Sequence, residues 1–384
     1  MMGITLLLLT FTFGSMVFIQ PFINYRTLYF SQSDRITALH TIFMARIWAL
    51  SLFQPPSVLS RASQALIEIM RLHDPPLFLS SSPDRTQLKE YRSTAKKIFK
   101  TLYPQRNKQT CKIEPIVYEY NNRQVNAYSI KEGDMNDWTD RSQDVLLYIH
   151  GGGFVSGDID TYAGYECYLS KEYHMPVIHI EHRLSPESTL LSSIDEVVTV
   201  YMSMLEFDRN ITQRMVGMGD SSGGLMWLRL IQIMVEEQQP VPRGLVLLSP
   251  WVDLSFMDTE RDSDTRENRV LFSLQLALNL RKQIFNIDEN LKGPAYFGKF
   301  TQQLNEVNPI EHSFQGFPPL YVSVGTGELF YRDALMLEQK ILESNSEIIL
   351  DKGYGLMHTY PMYHRWLPEA ACVQNKIRTF IDKL

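Results

Sequence analysis

The sequence predicts an α/β fold: a mostly parallel central sheet with helices on both faces, a helical cap and an amino-terminal membrane segment. Three observations carry that expectation. Short apolar runs ending in glycine or proline alternate with helical stretches over much of the chain. A glycine-rich turn, Gly219–Gly224, sits between a strand-like run and a helix-like run. No charged side chain occurs before Arg26.

Composition narrows the classes. The chain has 384 residues, 44% hydrophobic and 21% charged, with a formal net charge of −6. That is too apolar, and too mixed in charge, for a disordered protein. The acidic balance gives no bulk attraction for nucleic acid, and no nucleic-acid partner is expected. Cys111, Cys167 and Cys372 are too few for a disulfide scaffold. They sit in no CxxC or zinc-type spacing, so no metal is expected.

The amino terminus reads as a transmembrane signal-anchor over residues 1–25. Within Ile4–Ile23, twelve of twenty residues are Ile, Leu, Phe or Val. Twenty helical residues span roughly 30 Å, the hydrocarbon thickness. Each such side chain contributes about −0.3 to −0.6 kcal/mol at the helix centre. A cleaved signal peptide is the alternative, but the start has neither a basic n-region nor a small-x-small site. Residues 26–110 read as an amphipathic linking and cap region. In it, Ile36, Leu39, Phe43, Ile47 and Leu50 recur at helical spacing, with Arg46 inside the run. This predicts a helix lying on a membrane surface, over a cleft, or packed on its own domain.

Residues 111–384 read as the main domain, the one that carries the motifs below. Ile116–Ile130, with Asn121-Asn122 at its centre, predicts a hairpin. Asp144–Ile149, Pro176–Glu181, Arg214–Met218, Gly244–Ser249, Pro319–Val324 and Glu347–Leu350 predict buried strands bounded by turn residues. Helical stretches fall between and after them, at Tyr162–Glu172, Ser193–Glu206, Leu225–Glu237, Asp333–Glu343 and Arg365–Leu384. Such alternation requires a parallel sheet covered on both faces. Residues 256–300 break the rhythm and predict a cap insertion.

Three motifs carry chemistry. Gly219-Asp220-Ser221-Ser222-Gly223 is G-x-S-x-G between strand and helix, the context of a nucleophile elbow. His150-Gly151-Gly152-Gly153-Phe154 follows a strand, and glycines there let backbone N–H groups approach a ligand oxygen. His358 follows the last strand, where an imidazole can take the proton of a serine hydroxyl. Ser, then acid, then His is the chain order of this arrangement. The acid falls after Pro319–Val324, which leaves Glu328, nearer the strand end, and Asp333; Glu328 is the better placed of the two.

These motifs, in this order, resemble the hormone-sensitive-lipase branch of the α/β-hydrolases over roughly residues 110–384. Glu181-His182-Arg183-Leu184-Ser185-Pro186-Glu187 resembles its YRLAPE stretch, with His182 in place of Tyr. Ser249-Pro250-Trp251-Val252-Asp253-Leu254 resembles its SPW-x-DL stretch, and Glu328 stands where most members have Asp. The resemblance implies ester hydrolysis through an acyl-enzyme without a cofactor. Ser221 would be the nucleophile, His358 the base and Glu328 the acid. Gly152, Gly153 and the amide of Ser222 would form the oxyanion hole, with His150 and Gly151 shaping its loop. The amino-terminal anchor and the acid motif resemble fungal steryl acetyl hydrolases in architecture.

The partners implied are an apolar small-molecule ester and a membrane. Acetylated sterols are one substrate class; a general detoxifying esterase, an amidase or formamidase, and a non-catalytic hormone receptor are the alternatives. The resemblance implies a single-pass protein of the endoplasmic reticulum membrane. Arg26, Arg35 and Arg46 after the apolar run place the catalytic part in the cytosol, while the family parallel places it in the lumen. Asn210-Ile211-Thr212 is an N-x-T sequon that would report on this.

Overall fold

The computed structural model describes residues 32–53, 58–71, 83–103, 106–255, 272–285 and 294–384. Its frame is one eight-stranded sheet in the order β1-β2-β4-β3-β5-β6-β7-β8. The strands are β1 (Cys111–Tyr120), β2 (Arg123–Glu132), β3 (Val145–Ile149), β4 (Val177–Ile180), β5 (Met215–Asp220), β6 (Gly244–Leu248), β7 (Leu320–Gly325) and β8 (Ile348–Gly353). β1, β2 and β4 pair antiparallel, and β4, β3, β5, β6, β7 and β8 pair parallel. Asn121 and Asn122 both take positive φ at the β1–β2 turn, as a two-residue hairpin requires.

The helices are α1 (Gln32–Phe53), α2 (Arg61–Arg71), α3 (Arg85–Leu102), α4 (Ile159–Tyr173), α5 (Leu190–Phe207), α6 (Ser222–Glu236), α7 (Leu274–Phe285), α8 (Pro294–Val307), α9 (Tyr331–Glu343) and α10 (Pro368–Ile381). β3, β5 and β6 are buried along their whole length. The sheet therefore divides the core in two. On one face, Leu147, Leu245 and Val322 pack with Ile194 and Val197 of α5, Trp227 and Ile231 of α6, and Leu337 of α9. On the other, Leu146, Tyr148 and Val246 pack with Tyr162 and Tyr165 of α4 and Val373 and Ile377 of α10. The last helix begins at Pro368 rather than Arg365, because a 3₁₀ turn at Tyr360–Tyr363 intervenes.

Cys111 on β1 and Cys167 on α4 form a disulfide, with Cα atoms 5.9 Å apart. The pair lies 56 residues apart in the chain, and no local spacing marks it. Tertiary folding alone brings the two together.

Before the sheet, α1 lays Phe43 and Leu50 into the core, where Phe43 meets Trp366 edge-on at 5.5 Å. Its other face leaves Met44, Trp48 and Leu52 exposed. α3 reaches into the body through Arg92, which donates to the Val155 and Ser185 carbonyls and grips Glu187 with two nitrogens. The expected membrane segment, residues 1–25, lies outside the described residues, as do residues 256–271 and 286–293 of the expected cap insertion. The expectation of a single-pass endoplasmic reticulum protein is corrected. Among the described residues, no helix is long and apolar enough to cross a membrane. The longest, α1, carries Asp34, Arg35 and Arg46 and packs one apolar face on the protein body.

Candidate active site

The parallel strands all end on one edge, and the site is built there. β5 runs directly into α6 through Ser221, which takes φ 51° and ψ −119°. That left-handed backbone is costly for a residue with a Cβ. It is held by three main-chain bonds: Ser221 N–H to Leu248 O, and Gly224 N–H and Trp251 N–H to Ser221 O. Glycine at 223 is obligatory, since a Cβ there would lie 2.1 Å from the Ile149 carbonyl oxygen.

The turn aims the hydroxyl at His358, whose Nε2 is 3.0 Å from Ser221 Oγ. On the far side of the ring, Nδ1 is 3.5 Å from Glu328 Oε1. Glu328 is buried, and its other oxygen accepts from Ser249 Oγ at 2.8 Å. Ser249 Oγ in turn accepts the Thr359 N–H at 2.9 Å, so one hydroxyl ties the acid loop to the histidine loop. Asp333 is placed differently. One of its oxygens accepts the N–H groups of Val252 and Asp253, each at 3.0 Å, and holds the loop after β6. Ser221, His358 and Glu328 thus come together, and Asp333 braces the floor.

The His150–Phe154 loop follows β3, and its peptides are pinned one by one. Gly151 N–H donates to Asp220 Oδ1 at 3.0 Å. Gly151 O lies 2.7 Å from His150 Nδ1. Gly152 O accepts from Val155 N–H, Ser156 N–H and Ser156 Oγ at 3.3, 3.1 and 3.0 Å. A carbonyl and the next amide point opposite ways across one rigid peptide. Fixing the Gly151 and Gly152 carbonyls therefore fixes the directions of the Gly152 and Gly153 N–H groups. Gly152 has φ 114°, and a Cβ there would fall 1.9 Å from Ser156 O, so only glycine closes this loop. Ser222 opens α6, and its amide belongs to the helix amino terminus.

Asp220 is the site's second buried carboxylate. Besides the Gly151 N–H it accepts the hydroxyls of Tyr148 at 2.8 Å and Tyr162 at 3.1 Å. Burial pushes its carboxyl up to about 6, against the pull of those three donors. Sequence reading names Asp220 only as the variable position of G-x-S-x-G, and Ser249 only as part of SPW-x-DL. Their roles as braces appear when strands distant in sequence are laid side by side.

Aromatic rings wall the histidine. Phe272 and Phe330 each lie 5.2 Å from the His358 ring, and Trp251 packs on both at 5.9 and 5.2 Å. Leu280 of α7 closes over the glycine loop, 2.6 Å from where a Cβ on Gly153 would sit.

A family model for the alpha/beta hydrolase fold matches residues 146–362. An esterase of Acinetobacter venetianus is 25% identical over 240 residues, covering 62% of this chain and 75% of that protein. An acetyl-hydrolase of Streptomyces hygroscopicus is 26% identical over 226 residues, 58% of this chain and 70% of that one. Among solved structures, an esterase from the bacterial hormone-sensitive lipase family aligns with a TM-score of 0.69 at 21% identity. That alignment covers 85% of this chain and 99% of the other and shows a shared fold.

Proposed function

Since the chain belongs to the alpha/beta hydrolase fold family, we propose that it is a serine carboxylic-ester hydrolase acting on apolar esters of short acyl groups. The observation that carries this reading is the contact of Ser221 Oγ with His358 Nε2 at 3.0 Å, on a strained elbow beside a pinned glycine loop. A non-catalytic binding protein has no use for that pairing. The relatives bearing the names esterase and acetyl-hydrolase support the same class and the short acyl group.

In the reaction, Ser221 Oγ attacks the ester carbonyl carbon as His358 Nε2 takes its proton. Glu328 faces Nδ1, fixes the ring tautomer and stabilises the imidazolium. The carbonyl oxygen gathers charge, and the N–H groups of Gly152, Gly153 and Ser222 receive it. His358 then protonates the departing alkoxide, leaving acyl-Ser221. Water, deprotonated by the same nitrogen, releases the acid and restores the serine. Phe272, Phe330 and Trp251 exclude water beside His358 and favour an apolar substrate.

The test has two parts. A fluorophosphonate probe should label Ser221 and leave the Ser221→Ala protein unlabelled. A panel of p-nitrophenyl esters, matched amides and sterol acetates should show turnover highest on short acyl esters and lower by about 10⁴-fold or more in Ser221→Ala. Unchanged labelling or turnover in that variant would remove Ser221 from the chemistry. Preference for the amides would move the reading to an amidase.

A further inference from the structure

Three buried imidazoles stand in one stack beside the glycine loop. The His182 and His150 rings are 4.2 Å apart and 13° from parallel, and the His150 and His179 rings are 5.2 Å apart and 9° from parallel. The end ring is clamped. His179 Nδ1 lies 2.6 Å from Oε1 of buried Glu166 on α4, and Nε2 lies 3.3 Å from Glu181 Oε2. Glu181 is itself fixed by accepting the Ile159 N–H at 2.9 Å. Tyr162 from α4 and Tyr128 from β2 are further titratable rings facing the stack, 6.4 and 6.2 Å from His179.

The clamp and burial leave neighbouring rings in opposite charge states. Burial works against a charge on His179, but Glu166 and Glu181 outweigh it and hold the imidazole up at about 10. His150 goes the other way: burial first, then the facing His182 and His179, keep it well below the usual imidazole range. Burial also lowers His182. Neutral His150 has one ring proton. Gly151 O, 2.7 Å away, can only accept, so that proton sits on Nδ1. Gly151 C=O and Gly152 N–H are opposite ends of one planar peptide.

We infer that the Glu166–His179–Glu181 clamp positions the oxyanion loop: His179, held between the two carboxylates, packs flat on His150 and holds its Nδ1 against Gly151 O, which aims the Gly152 N–H. His179 and Glu166 are positioning residues; neither touches the substrate. The inference rests on the ester-hydrolase reading for its consequence, but the charge states can be observed without it.

The experiment compares kcat of Glu166→Gln with wild type on p-nitrophenyl acetate from about pH 5.5 to about pH 9, the range around imidazole titration. Without the Glu166 carboxylate, His179 titrates inside that range. The ratio of variant to wild-type kcat should be about one-tenth at the alkaline end, the scale of a weakened oxyanion donor. It should climb toward unity as acid restores the proton on His179 and with it the pull of Glu181 on the ring, with KM within about twofold, since uniform binding is untouched. Glu166→Asp, which keeps the carboxylate, should parallel wild type. A ratio that does not change with pH overturns the inference, because a merely loosened core loses activity evenly. If Glu166→Gln does not fold, ¹⁵N-histidine NMR of the wild-type protein decides. One imidazole should be doubly protonated at about pH 8, and a second should be a neutral Nδ1–H tautomer. A neutral His179 there overturns the clamp. Lack of hydrolysis by wild type would instead sink the ester-hydrolase reading alone.

Discussion

Asp220 Oδ1 accepts the Gly151 N–H at 3.0 Å, so the residue before the elbow serine holds the first peptide of the glycine loop. The serine elbow and the glycine loop are thereby one mechanical unit, though 69 residues separate the two partners. The same carboxylate gathers the Tyr148 and Tyr162 hydroxyls, and this makes its ionisation a stability variable.

The first prediction concerns that carboxylate. Its carboxyl sits at about 6 in the folded protein, against an ordinary value of 3.8. Between those values the native state holds a proton that the unfolded chain releases. Raising the pH from about 4 to about 6 therefore lowers wild-type stability by up to about 3 kcal/mol through this group. Asp220→Asn has no such proton. Its stability deficit relative to wild type should shrink over that window in denaturant titrations at a series of pH values. A deficit that stays constant across the window refutes the assignment.

The second concerns the acid of the site. Glu328→Gln removes the charge facing His358 Nδ1 at 3.5 Å and should cut kcat by about 10²–10⁴-fold. Asp333→Asn leaves that pair intact and disturbs the loop at Val252 and Asp253. Its cost should appear chiefly as about 1–3 kcal/mol of stability, the scale of a damaged buried hydrogen bond. Steady-state kinetics and denaturant melts on both variants separate the roles; the opposite pattern would transfer the acid to Asp333.

The third concerns the disulfide. Cys111 and Cys167 close a long loop of the unfolded chain. The chain-entropy account assigns such a loop about 4 kcal/mol. Cys111→Ser should lose about 2–4 kcal/mol, and dithiothreitol should bring wild type to the same level. Both leave the Ser221–His358 contact untouched, so turnover of the remaining folded protein should stay near wild type. Insensitivity of wild-type stability to dithiothreitol would contradict the bond.

Much of the fold is legible in the chain because local chemistry dictates it. β-branched and aliphatic runs ended by glycine or proline report buried strands, and Asn121-Asn122 reports a hairpin turn. The elbow and the glycine loop are legible for a stronger reason. A Cβ at Gly152 or Gly223 would meet backbone oxygen, so those positions admit one residue type and leave a sequence trace. The membrane expectation rests on composition of residues 1–25 alone, and composition does not report how a segment is placed.

Ser221, its elbow glycines and the late histidine are marked by the sequence itself, because the strained turn restricts which residues can stand there and an imidazole is the side chain suited to a serine hydroxyl's proton. Which carboxylate faces His358 is decided only in three dimensions. Glu328 and Asp333 are both acids beyond the same strand, and the choice depends on where β7 ends relative to β6. The same holds for Ser249 between two loops, for Cys111 with Cys167, and for the three stacked histidines. Each joins segments remote in the chain, and side-chain identity carries no record of distance until packing sets it.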